Sequence, residues 1–296
     1  SEILLGFGQS LVSGADSALL YDTMLHYKKE DEYLKYEGRV TMVGNFSEAF
    51  AGIFSGLLAV YSLRLPFYVQ SGIAFIGIPA AVALTEHAAK TRIKNSFANI
   101  VQIIQYSLFT NKELCYNIMF SGVIGAATLT MAWFVQPLLI ELDTPTSWFG
   151  IIWTILNLTV GISALYSDKL DQRLGSLRMY TLILFFIVGG YIAVAFNISY
   201  IGLVCLFFFY IVRGFATPIL KGYINQITFS EMRATVLSIR NFIIRLMFAA
   251  MAPLVGWLHD LYSLSIALQA TAAIIFVPGL LFLILQYRYK PRETSL

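Results

Sequence analysis

Long uninterrupted apolar runs constrain the fold of this chain more than any other feature. Nine of them are about 20 residues long, the length that a helix needs to cross the hydrocarbon layer of a membrane. The runs are continuous rather than alternating, which favours helices over the strands of a membrane barrel. The sequence therefore predicts nine transmembrane helices, at 2–24, 41–62, 66–85, 113–140, 148–166, 177–196, 199–223, 234–258 and 263–287.

The composition agrees with a membrane protein. Of the 296 residues, 58% are hydrophobic and 12% are charged, whereas soluble domains have about 45–50% apolar and about 25% charged residues. These few charges cannot solvate a soluble surface of this size, so a soluble enzyme, a disordered protein and a nucleic-acid-binding protein are excluded. The sequence contains no zinc-protease helix motif, phosphate-binding glycine loop or nucleophile elbow, so we expect no catalytic residues, no metal site and no cofactor.

The lysine and arginine residues concentrate in every second connection between the predicted spans. Of the 20 lysines and arginines, 16 lie in these connections, at the span ends beside them or in the C-terminal tail, while the opposite connections contain only Arg64. Membrane proteins retain positively charged loops in the cytoplasm. We therefore expect a multi-pass integral membrane protein with a cytoplasmic C-terminus.

The longest connection, 86–112, has the pattern of an amphipathic helix. Its apolar residues recur at helical spacing opposite polar residues, which predicts a helix on the cytoplasmic membrane surface. This linker separates a partial N-terminal bundle of three spans, 1–85, from a C-terminal bundle of six spans with a short cytoplasmic tail, 113–296. The apolar positions of the linker are Ile93, Phe97, Ile100, Val101, Ile104 and Leu108.

Several ionisable residues fall inside the predicted spans, and four of them are candidates for a functional role. A charge at the centre of a membrane helix costs up to ~3 kcal/mol, so such residues normally face a cavity or a partner. Asp16 and Glu48 lie at similar depths; they either share a coupling proton or bond to neighbouring helices. Arg213 and Arg245 either bind an anionic group of a substrate or have a structural role.

The first predicted span also carries a stripe of small residues. Gly6, Ser10, Gly14 and Ala18 recur every four residues, and small residues at this spacing let two helices approach closely. The stripe predicts a tight helix–helix contact.

Several segments resemble bacterial transporters of the major facilitator superfamily. Residues 13–22 resemble the fourth helix of that family, 168–175 its motif between helices eight and nine, and 213–218 its tenth helix. Residues 233–238 resemble the loop between the tenth and eleventh helices, and 253–256 resemble part of the eleventh helix. The resemblance assigns the nine spans to helices four to twelve, so the first three helices of the family would lie outside this chain.

The resemblance implies an all-α membrane protein with the major facilitator fold. It implies a secondary active transporter of a bacterial inner membrane that moves a small solute by alternating access and is coupled to a proton or another ion. The alternatives are a receptor that does not transport and an intramembrane enzyme. By the resemblance, the candidate substrate-binding and coupling residues are Gln9, Ser13, Asp16, Glu48, Gln136, Asn157, Arg213 and Arg245.

The predicted orientation can be tested by labelling single cysteines in intact cells. With Cys115 and Cys205 replaced by serine, a membrane-impermeant maleimide should label an Asp143→Cys variant but not a Glu293→Cys variant. Both variants should react after the cells are permeabilised. The reverse pattern, in which only the variant at position 293 reacts in intact cells, would contradict the orientation.

Overall fold

The computed structural model describes residues 8, 12, 14–62, 64–84 and 97–289. Every element of regular structure in these residues is helical. The short elements are two 3₁₀ turns, Glu30–Glu32 and Ser230–Met232, and a π-helical turn, Tyr106–Thr110. The α-helices are α1 (Ala15–His26), α2 (Tyr33–Tyr61), α3 (Leu65–Val82), α4 (Phe97–Gln105), α5 (Lys112–Glu141), α6 (Thr146–Ala164), α7 (Ser167–Leu174), α8 (Ser176–Phe196), α9 (Tyr200–Gln226), α10 (Arg233–Leu261) and α11 (Leu264–Tyr289).

Six described helices are each long and apolar enough to cross a membrane: α3, α5, α8, α9, α10 and α11. A seventh span results if α6 and α7, which are bent by 49° relative to each other, are counted together. This number agrees with a multi-pass membrane protein, but the predicted count of nine stays a prediction. The first and second predicted spans are not among these helices. Residues 2–7 of the first span lie outside the described residues. The second is part of α2, which begins at Tyr33 and so includes a charged segment before the predicted span at 41–62.

The predicted amphipathic linker is helical where it is described. The helix α4 and the turn Tyr106–Thr110 cover its second half, while residues 85–96, including Ile93, lie outside the described residues. Ile104 and Leu108 pack against an apolar cluster formed by α1, α5, α9 and α10, whereas Ile100 and Val101 are exposed. Part of the apolar face therefore contacts protein.

The main apolar core is built by the helices that follow the linker. It contains buried side chains of α5, α6, α8, α9, α10 and α11. Large aromatic side chains fill its centre, among them Phe120, Tyr191 and Phe209, which are at most 1% exposed. By contrast, α3 contains no buried residue.

Two of the helices before the linker, α1 and α2, pack on the helices that follow it, and their contacts include one end of the molecule. At this end α1, α6 and α9 finish and α2 and α10 begin, and the charge pattern predicts that it is cytoplasmic. Here α2 packs along α6 and against α9, while α1 packs on α10. We call this end the predicted cytoplasmic end.

Glycines allow these helices to approach at backbone distance. A Cβ atom added at Gly38 of α2 would lie 2.4 Å from the carbonyl oxygen of Ala164 in α6, and one added at Gly222 of α9 would lie 2.5 Å from Leu34 Cδ2. Gly14, which precedes α1, has a left-handed φ of 83° and would place a Cβ 2.8 Å from backbone and side-chain atoms of α10. Gly14 and the buried Ala18 confirm the predicted close contact for that part of the small-residue stripe, while Gly6 and Ser10 lie outside the described residues.

Two glycines of α2 provide a matched test of this packing. Gly38→Ala should lower the melting temperature of the purified protein in detergent, because the new methyl group overlaps the backbone of α6 at a cost of about 1–3 kcal/mol. Gly44 has no atom within 4 Å of an added Cβ, so Gly44→Ala should be neutral or stabilise the helix by up to ~1 kcal/mol. Equal melting temperatures for the two variants would contradict the close packing of α2 on α6.

Candidate functional site

A buried group of polar side chains joins three helices at the predicted cytoplasmic end. We call it the Glu37 cluster: Ser17 of α1, Tyr33 and Glu37 of α2, and Lys221 and Asn225 of α9. Tyr33 and Glu37 are separated by four residues, and so are Lys221 and Asn225. Each pair therefore lies on one face of its helix, and the two faces meet.

The Glu37 carboxylate accepts hydrogen bonds from all three helices. Lys221 Nζ lies 2.8 Å from its Oε1 atom and forms an ion pair with it. The Tyr33 hydroxyl donates to Oε2 at 3.0 Å, and Ser17 Oγ donates to the same oxygen at 3.2 Å. Asn225 Nδ2 donates to the Tyr33 hydroxyl at 2.8 Å, so α9 contributes to both sides of the cluster.

The cluster is closed to solvent apart from the lysine. Glu37 and Tyr33 are each 1% exposed and Asn225 is 0% exposed, whereas 18% of the Lys221 side chain is exposed. Tyr33 precedes the predicted membrane span, and its burial together with the negative charge of Glu37 raises the pKa of its phenol well above the usual value. The hydroxyl therefore stays protonated and remains a donor to the carboxylate.

A second buried group, the Arg233 cluster, lies beside the first. Arg233, which begins α10, forms an ion pair with Asp22 of α1, and Ser230 Oγ donates to the same carboxylate oxygen at 2.8 Å. Arg233 Nη2 also donates to the carbonyl oxygens of Thr228 at 2.7 Å and Asn225 at 3.3 Å. The guanidinium is 4% exposed and lies over the ring of Tyr21, 4.2 Å from its centroid.

Other polar contacts tie neighbouring helices together near these clusters. Arg240 of α10 is 5% exposed and donates from Nε to Ser121 Oγ of α5 at 2.6 Å. Tyr223 of α9 donates to Asp171 of α7. In the part of the chain that the structure describes, no three histidine, cysteine, aspartate or glutamate side chains lie close enough together to hold a metal ion.

The sequence-predicted candidates differ in their surroundings, and their grouping into one site stays a prediction. Gln9 and Ser13 lie outside the described residues. Asn157 is buried and donates from Nδ2 to the carbonyl oxygen of Trp153, 3.1 Å away on its own helix. The exposed candidates are Asp16, Glu48, Gln136 and Arg245.

Arg213 is the candidate whose surroundings are most unusual. It lies near the middle of α9, with its Cζ atom 5.3 Å from the ring centroid of Tyr210. Its Nη1 atom and the Tyr210 hydroxyl are both buried, and neither has a hydrogen-bond partner among the described residues. A buried donor without a partner inside a membrane helix costs free energy. This cost supports a functional role for Arg213, which stays a prediction.

Comparison with known families identifies the chain. A sequence model described as the Major Facilitator Superfamily matches residues 2–247. The chain belongs to the major facilitator superfamily. Members of this superfamily are membrane transporters, in agreement with the apolar helices found in the structure. A comparison with curated proteins finds no match to this chain.

In this major facilitator protein, the residues of the principal polar site were not predicted from the sequence. Glu37 lies in a predicted connection and Asp22 near the end of a predicted span, so neither residue was a candidate charge within the membrane. One sequence signal could have found the Glu37 cluster. Tyr33 and Glu37, and likewise Lys221 and Asn225, form polar pairs with i, i+4 spacing at the same predicted end of two helices.

The Glu37–Lys221 ion pair should contribute measurably to stability. Glu37→Gln should destabilise the purified protein by about 1.5–3 kcal/mol, the contribution of a charged hydrogen bond. Lys221→Met should cost about 3–5 kcal/mol because it leaves a buried carboxylate unpaired, and the double variant should recover much of this loss. Melting temperatures in detergent measure each effect.

The exposed pair of Glu32 and Lys35, 3.3 Å apart, is the control. Glu32→Gln removes the same charge from the same end of α2, and should change stability by less than ~0.5 kcal/mol. If Glu37→Gln and Glu32→Gln lowered the melting temperature equally, the Glu37 cluster would not stabilise this conformation.

Proposed function

We propose that this protein is a secondary active transporter that moves a small solute by alternating access, driven by a proton or another ion gradient. The observation that carries the proposal is the Glu37 cluster, which joins helices of the two predicted bundles, 1–85 and 113–296, through polar contacts. Such contacts can be exchanged for water when two bundles separate, whereas exposing an apolar core would cost far more. The interface is thus suited to open and close.

The buried polar contacts between the two predicted bundles lie toward one end. The Glu37 and Arg233 clusters and the glycine contacts of Gly38 and Gly222 all lie at the predicted cytoplasmic end. We infer that this conformation is closed to the cytoplasm. Alternating access then requires α1 and α2 to separate there from α6, α9 and α10, and the cavity to close at the opposite end.

We further propose roles for the candidates that the sequence identified. Asp16 and Glu48 are exposed carboxylates that precede or follow the Glu37 cluster along α1 and α2, so either can exchange protons with water in a cavity. Arg213 and Arg245 would bind an anionic group of the solute. Gln9, Ser13, Gln136 and Asn157 would supply polar contacts to the rest of the solute.

A reversible disulfide between α2 and α6 tests alternating access. A Cβ at Gly52 would lie 3.6 Å from Thr154 Oγ1, so the two positions are in contact and the double variant Gly52→Cys/Thr154→Cys is expected to form a disulfide. In full-length protein lacking Cys115 and Cys205, oxidation should abolish solute-evoked currents from proteoliposomes on solid-supported membranes. Reduction should restore the currents, because the helices can then separate.

The matched control pairs Thr154→Cys with Gly44→Cys, at a glycine with no atom within 4 Å of an added Cβ. This variant should not form a disulfide, and its currents should not respond to oxidation. Undiminished currents from fully oxidised Gly52→Cys/Thr154→Cys protein would contradict alternating access through this interface. If a solute bound to the protein but produced no current in any variant, the protein would instead be a receptor.

A further inference from the structure

A cleft at the predicted cytoplasmic end lies between α2 and the α6–α7 segment. Its volume is about 390 Å³, within the range of ligand sites in proteins, about 300–1,000 Å³. It is separate from the buried Glu37 cluster and from the candidates within the spans. We call it the basic cleft; its lining residues are Lys35, Arg39, Leu165, Asp168, Lys169 and Gln172.

The basic cleft carries an excess of positive charge. Three of its lining residues, Lys35, Arg39 and Lys169, are cationic, and Asp168 is its single acidic lining residue. One oxygen of the Asp168 carboxylate accepts a hydrogen bond from Gln172 Nε2 at 2.9 Å. The cleft therefore has a formal charge of +2 and favours an anionic ligand.

Two of the cations are available to a ligand. The Arg39 guanidinium lies over the ring of Tyr36, 5.2 Å from its centroid, and Lys169 Nζ lies 5.8 Å from the ring centroid of Tyr166. Within the described ranges neither forms an ion pair with a carboxylate, whereas Lys35 pairs with Glu32 at 3.3 Å. Arg39 and Lys169 approach the cleft from the two predicted bundles.

The chemistry and the location together favour a phosphate group. A guanidinium can bind phosphate oxygens through two parallel hydrogen bonds, and an ammonium group adds a point charge. The predicted span that leads into the cleft ends at Tyr166, so we expect the cleft to lie at the level of lipid headgroups. The exposed side chains of Leu165 and Tyr166, 40% and 53% exposed, offer apolar contact beside the charges. Basic sites between helices on the cytoplasmic side bind anionic headgroups in other membrane proteins.

We propose that the basic cleft binds the phosphate group of an anionic membrane lipid. The headgroup contacts Arg39 of α2 and Lys169 of α7 together, and so links the two predicted bundles at the end where the Glu37 cluster closes them. Anionic lipid then stabilises the closed conformation to the extent that it binds this conformation more tightly than the open one. The site is regulatory and does not depend on the identity of the transported solute.

Lipid binding can be measured on the full-length protein. Phosphatidylglycerol is titrated against detergent-purified protein, and binding is followed by native mass spectrometry and by the rise in melting temperature. Each of Arg39→Gln and Lys169→Gln should weaken binding about fivefold, and the double variant about 25-fold. Phosphatidylcholine, which has no net charge, should bind at least tenfold more weakly than phosphatidylglycerol.

The control is Arg178→Gln, which removes the same charge from an exposed site near the start of α8, outside the cleft. Melting temperatures without lipid confirm that each variant folds. Equal weakening by Arg178→Gln and Arg39→Gln, or no weakening by either cleft variant, would overturn the proposal.

A separate titration uses inorganic phosphate without lipid. If it raised the melting temperature through Arg39 and Lys169 while phosphatidylglycerol had no effect, the site would bind soluble phosphate and the lipid assignment would be wrong.

Discussion

The Glu37 carboxylate requires compensation that no single helix of this protein supplies. Removing a carboxylate from water costs several kcal/mol unless a counter-charge and hydrogen-bond donors replace the solvent. Here Lys221 of α9 supplies the charge, and Ser17 of α1 and Tyr33 of α2 supply donors. Because the compensation is shared among three helices, the low-energy position of each helix depends on the other two. The polar cluster thus fixes where α1 and α2 contact the helices that follow the linker.

Close helix packing makes this arrangement possible. Gly38 lets α2 reach the backbone of α6, and Gly222 admits the side chain of Leu34 against α9. With larger residues at these positions, α2 would be displaced by about the diameter of a methyl group. A displacement of that size would stretch the hydrogen bonds to Glu37 beyond their usual lengths. The small residues and the polar residues of the interface therefore depend on each other.

The sequence predicted the helical class and the superfamily, because both depend on local patterns. Continuous apolar runs specify membrane helices one at a time, and the spacing of Gly14 and Ala18 correctly predicted a close contact. The partners of Glu37 depend on which helices are neighbours: Lys221 is 184 residues away along the chain. Hydropathy treats each span separately. It therefore predicted functional roles for Asp16 and Glu48, which are exposed, and not for the buried residues near the span ends.

Asn225 belongs to both polar clusters and makes them energetically interdependent. Its side chain donates to Tyr33, and its backbone carbonyl accepts from Arg233, which in turn binds Asp22. If α1 moves away from α10, Arg233 loses its counter-ion, and the carbonyl groups at the end of α9 must compensate a buried cation alone. The same movement takes Ser17 from Glu37. Intermediate positions of α1 would leave both clusters partly unsatisfied, which is costly at low dielectric. Opening of this interface should therefore be cooperative, with two discrete states rather than a continuous range of separations.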